Sequence, residues 1–177
     1  MASPLELDVG RPALRTPERL QDLISAIQIM GLFDFAVRSV HQWEKRLGPV
    51  PTSAPSWLDV FTQHPEFFTV VRAPDGGIPS NPLVALAWRR SKNRNYDTQT
   101  RRILSYDAAR TLKDAESEAT AIRLSRPPMS PREIELLINL ALELHERELR
   151  HQQERRWWYA VVLGVAGLVA SALSHLL

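Results

Sequence analysis

From Ala160 to Leu173 the chain runs without a single charged residue, and Trp157, Trp158 and Tyr159 stand directly before that run. Counted from Trp157 to Leu177, about 21 residues of helix would extend roughly 31 Å, close to the thickness of a bilayer hydrocarbon core. The aromatic triplet falls where a water–lipid boundary would lie. The spacing predicts a transmembrane helix over 157–177, apolar on all sides rather than along one stripe.

Arg147, Arg150, Arg155 and Arg156 precede this run and nothing basic follows it beyond His175. By the positive-inside rule they fix the orientation, so a single-pass, tail-anchored protein with a cytoplasmic N-terminal body is expected. Gly164, Gly167 and Ser171 recur on one face with Ala160, a spacing that lets helices pair in lipid and allows a homo-oligomer through the span. Residues 1–15 hold no apolar core of a signal peptide, carry Glu6 and Asp8, and with Pro4 and Pro12 read as a flexible arm.

Upstream of the run, Ser130-Pro131-Arg132-Glu133 has the form of a helix start: a Ser cap, Pro at the first position, Glu three after the cap. Ile134, Leu137, Ile138, Ala141 and Leu144 follow at helical spacing, and the composition then turns almost wholly polar. A helical stalk over 130–156 is expected, its first half requiring a partner surface. The chain's own body is the simpler partner and a second copy the other.

The body begins with Thr16-Pro17-Glu18, again cap then Pro, followed by the stripe Leu20, Leu23, Ile24, Ile27. After Gly31 a second stripe runs through Phe33, Val37, Val40 and Leu47 to a stop at Gly48-Pro49. A shorter helix carries Trp57, Leu58, Val60 and Phe61. The period then changes: Phe67 to Arg72 and Leu83 to Trp88 are strand-like, joined by a turn around Asp75-Gly76-Gly77. Three helices followed by a β-hairpin resemble, in order and spacing alone, a winged-helix domain over 16–90. That resemblance implies a recognition-helix position for 57–63 and a wing tip at Asp75-Gly76-Gly77. The fold class expected is α+β, mostly helical: this small domain, a connecting segment over 91–129, the stalk, and the transmembrane helix.

The would-be recognition helix carries Asp59 and no Lys or Arg. Phosphate contacts supply most of the affinity for nucleic acid, so DNA binding through that face is disfavoured. A net charge of +2 points to no such partner either. Cations cluster after the second strand instead, at Arg89, Arg90, Lys92, Arg94, Arg101 and Arg102. They are candidates for contact with anionic lipid headgroups or with a partner, and a solvated loop is the plain alternative.

No arrangement for catalysis emerges. The chain has no Cys, which removes thiolate chemistry and thiolate metal sites. His145 and His151 are six apart and face opposite sides of a helix, so they cannot share a metal. Gly76-Gly77 is not followed by the Lys-Ser or Lys-Thr of a phosphate loop. No catalytic, cofactor or metal residue is assigned and no cofactor is expected. The function expected is that of a non-enzymatic adaptor or accessory subunit at the cytoplasmic membrane surface, meeting membrane lipid and another protein or membrane complex. The second expectation is a membrane-tethered nucleic-acid-binding regulator using the basic stretch.

Overall fold

A computed structural model describes residues 16–114 and 123–150. Helix α1 spans Pro17–Leu32 and is capped by Thr16, whose hydroxyl accepts from the Arg19 N–H. Strand β1, Val37–Ser39, follows at once, then helices α2, Val40–Leu47, and α3, Trp57–Gln63. Gly48 ends α2 at φ 107°, a backbone value that glycine adopts at little cost and that strains residues with a Cβ. Strands β2, Phe68–Val70, and β3, Leu83–Leu86, pair antiparallel, and β3 also pairs with β1. The sheet order is β1-β3-β2, which leaves β1 and β2 as edges.

A short helix α4, Ala87–Arg90, leads to a second sheet. Its strands β4, Tyr96–Asp97, β5, Arg102–Ile103, and β6, Leu124–Ser125, have the order β5-β4-β6. Helix α5, Tyr106–Asp114, lies between β5 and β6 in sequence. The last described element, α6, is helical over 131–150.

One apolar cluster joins these parts. Leu23, Ile27 and Met30 of α1 meet Trp43 of α2, Val60 and Phe61 of α3, Phe68 of β2, and Val84 and Leu86 of β3. Ile134, Leu137 and Ala141 of α6 belong to the same cluster. Gly31 is where α6 docks: the Met129 N–H donates to its carbonyl at 2.9 Å, and a Cβ there would lie 3.2 Å from Ile134 Cγ1.

The expected fold class is corrected on several points. The second helical stripe is broken: 37–39 is a strand and the helix starts only at Val40, because β3 offers this stretch an antiparallel edge. The hairpin is thus part of a three-stranded sheet, and a second sheet stands in the segment read as a connection. The molecule is a mixed helix/strand protein with small sheets, not a winged-helix-like domain, a stalk and a span in series. The stalk reading is replaced because the first half of α6 is buried in the common core.

Among the described residues no helix is long and apolar enough to cross a membrane. The longest, α6, alternates apolar positions with Glu133, Glu135, Glu143, Glu146, Arg147, Glu148 and Arg150. The single-pass membrane reading, with its cytoplasmic orientation, is therefore withdrawn as a description of this structure. The span over 157–177, with Trp157, Trp158, Tyr159, Gly164, Gly167 and Ser171, lies outside the described residues, as do Arg155 and Arg156 and the arm over 1–15. Arg147 and Arg150 are exposed on α6, Arg150 3.4 Å from Glu146.

Candidate functional site

The two sheets approach each other through their edges. The Ala36 N–H, just before β1, donates to Ser125 Oγ of β6 at 3.0 Å, and both groups are buried. Beside this link a cavity of about 550 Å³ opens between the strands. Phe35, Ala36, Val37, Leu83 and Leu124 make its apolar walls, and Arg38, Arg94 and Arg126 bring guanidinium groups to it.

Each of these cations is held by a different device. The Arg38 guanidinium lies 4.0 Å from the centroid of Phe35 and 5.4 Å from that of Phe33, a cation–π arrangement that fixes a long side chain. Its Nε is buried without a hydrogen-bond partner. Arg94 Nε donates to the Leu124 carbonyl at 2.8 Å, and Arg126 Nε donates to the Arg90 and Lys92 carbonyls at 2.8 and 3.1 Å. Burial, with repulsion from Arg46, lowers the pKa of Arg38; burial, with repulsion from Arg90 and Arg94, lowers that of Arg126.

Two further recesses share lining residues with this cavity. Arg38 and Gln42 also line a recess of about 300 Å³ with Phe33, Lys45 and Arg46. Arg46 covers the Phe33 ring at 4.8 Å. On the other side Arg94 is shared with a recess of about 410 Å³, lined also by Asn93, Asn95, Tyr106, Arg110 and Lys113. The result is a trough with Lys45, Arg46, Arg38, Arg126, Arg94, Arg110 and Lys113 along it. Asp114, itself 3.7 Å from Arg110, is the one carboxylate among the described lining residues.

The basic stretch singled out from sequence divides. Arg89 is fully buried and its guanidinium is spent on four carbonyls: Met30, Asp34, Arg126 and Pro127, at 2.8 to 3.1 Å. Burial lowers its pKa to about 10, so it stays charged at neutral pH. Lys92 pairs with Glu133 of α6 at 2.7 Å, and Arg101 reaches Asp34 at 3.3 Å. Arg90 and Arg102 are exposed. Only Arg94 of the six lines the trough.

Lys45, Arg46, Arg38, Arg110, Lys113 and Arg126 were missed because they come from separated elements, and no local spacing groups them. The nearest signal is Arg38 between Phe35 and Val40, a cation inside an otherwise apolar stretch. Trp57 and Phe61 are core residues, while Asp75 is exposed and turns the β2–β3 loop by accepting from the Gly77 N–H.

The histidines offer no assembled chemistry in the described part. His64 is buried with Nδ1 2.9 Å from Glu66 Oε1, and His41 is exposed beside Glu44. Among the described residues no three His, Asp or Glu side chains converge as a metal site. Comparison with protein-family models, with curated proteins and with solved structures finds no match to this chain.

Proposed function

We propose that this protein is a non-enzymatic interaction module whose trough receives an acidic, apolar-studded segment of a partner protein. The observation that supports the reading is the combination in one cavity of apolar walls, from Phe35, Val37, Leu83 and Leu124, with the guanidinium groups of Arg38, Arg94 and Arg126. Carboxylates would take charge-assisted hydrogen bonds from Arg38 and Arg126 while neighbouring apolar side chains cover the walls. An edge strand, β1, runs along the cavity and offers a partner backbone a place to align.

A nucleic acid fits less well. Its bases need free aromatic faces to stack on, and Phe33 and Phe35 are already covered by Arg38 and Arg46, which leaves Tyr106 as the exposed ring among the described lining residues.

The test is capture by the full chain beside Arg38→Glu and Arg46→Glu variants, with bound protein and nucleic acid both identified. The reading expects protein partners that are lost from both variants. Nuclease-sensitive capture that falls steeply between low and moderate salt, and is lost from the same variants, would replace it with the nucleic-acid regulator.

A further inference from the structure

Two exposed leucines of α6, Leu136 and Leu140, share a line along the helix that points away from the core. At 3.6 residues per turn they stand about 40° apart round the axis, and roughly 110° from the inward line of Ile134, Leu137 and Ala141. Leu136 is 54% and Leu140 40% exposed. One turn earlier Trp88 of α4, 50% exposed, is held against α6 by its indole N–H, which donates to Glu133 Oε1 at 3.3 Å. Single surface leucines are ordinary, but two on one line of a helix with an open indole at its start make a patch.

The charges around this line are complementary to themselves. Arg132 and Glu143 are both exposed and lie on the same edge of it, one before the leucines and one after. A two-fold axis midway between Leu136 and Leu140 makes two copies of α6 antiparallel and sets Leu136 against Leu140 of the second copy. In an antiparallel pair like edges meet, so the same axis sets Arg132 against Glu143 of the second copy, and Glu143 against its Arg132. Arg132 is six residues before the axis and Glu143 five after it, so the two miss exact register by only about 1.5 Å along the helix. Trp88 stands at the other edge, and the axis brings Arg147 of the second copy toward its ring, an arrangement suited to a cation–π contact.

We propose that this outer face of α6 joins two copies of the chain, antiparallel, with Leu136 and Leu140 at the centre and two Arg132–Glu143 pairs at one edge. None of these residues lines the trough, so the pairing is independent of what the trough receives.

The test is sedimentation velocity on the full chain from about 10 to 300 µM, beside Arg132→Glu, Glu143→Arg and the chain carrying both. The proposal expects a monomer–dimer equilibrium. Each single reversal places two like-charge contacts in the pair and should weaken it about fivefold or more. The combined reversal restores opposite charges at both contacts and should recover most of the loss. All these positions are exposed, so the variants keep the fold, which an unchanged urea midpoint verifies. A monomer at every concentration, association indifferent to the single reversals, or a combined variant no better than either single one would each overturn the proposal.

The direction of the pair is read by mild oxidation, since the sequence has no Cys. Mixed Leu136→Cys and Leu140→Cys chains should cross-link to each other several-fold faster than either does to itself. Leu142→Cys, exposed on a different line of α6, should cross-link more slowly than the mixture. Leu136→Cys chains linking chiefly to themselves, or Leu142→Cys linking as fast as the mixture, would overturn the antiparallel contact.

Discussion

The Arg89 guanidinium donates to the Met30 carbonyl at 2.8 Å, inside the last turn of α1. Carbonyls there have no helical partner, and the helix dipole favours a cation. The same guanidinium reaches Asp34 on the way to β1 and Arg126 and Pro127 on the way to α6. One side chain therefore fixes where three segments diverge, among them the two that form the walls of the trough.

Replacing Arg89 by Met keeps much of the volume but leaves four buried or half-buried carbonyls unpaired. A loss of roughly 3 kcal/mol or more is expected, read as a lowered urea midpoint. Arg89→Lys should recover only part of it, because an ammonium cannot reproduce the planar fork of donors.

Gly31 is a second joint. Alanine there would press on Ile134, whose flexible end can move, so a small change is expected. Gly31→Leu cannot be accommodated and should cost about 1–3 kcal/mol. It should also make α6 more susceptible to limited proteolysis than α1, since the docking of α6 is what it disrupts.

The Lys92–Glu133 pair sets a pH response. Burial alone would raise the Glu133 carboxyl, but hydrogen bonds from Lys92, the Ser130 N–H and hydroxyl, and Trp88 together hold it at about 2, below its ordinary value of 4.5. The unfolded chain thus binds more protons than the folded one between these values. The stabilisation is complete above about pH 4.5 and is lost as pH falls toward about 2. Asp97 adds to the same acid loss, because Arg123, partly opposed by burial, holds its pKa low. Urea midpoints measured from pH 5 down to 2.5 should fall less steeply for Glu133→Gln than for the unsubstituted chain. An unchanged slope would show that the pair contributes nothing.

The parts of the fold that were legible are those with local signals. Thr16-Pro17 and Ser130-Pro131 mark the helix starts, and β-branched and aromatic runs mark β2 and β3. Strand β1 was hidden inside an apolar stripe that also suits a helix, and only its pairing with β3 decides between the two. The second sheet carries almost no periodicity, since its strands are two residues long; Asp97, bonded to Arg123, Thr100 and the Gln99 N–H, organises it instead. The trough was illegible for a related reason. Arg38 and Arg94 line one cavity, and Arg94 and Lys113 another, only through tertiary packing, whereas the conspicuous run from Arg89 to Arg102 is mostly engaged in holding the molecule together.

Ser125 tests whether the trough depends on the alignment of the two sheets as well as on its charges. Its hydroxyl accepts the buried Ala36 N–H, so Ser125→Ala leaves a donor unpaired and should lower stability by about 1–2 kcal/mol. Ser125→Thr keeps the hydroxyl and should restore most of that loss. The effect on binding is the more informative quantity, because no cation is removed. If β1 and β6 must be held together for the apolar walls and guanidinium groups to act on one ligand, affinity for an acidic peptide falls several-fold in Ser125→Ala and returns in Ser125→Thr. Its salt dependence stays as in the unsubstituted chain, since the number of charged contacts is the same. Unchanged affinity in a folded Ser125→Ala protein would mean that the cations bind as independent surface charges, and the trough would lose its standing as a built site.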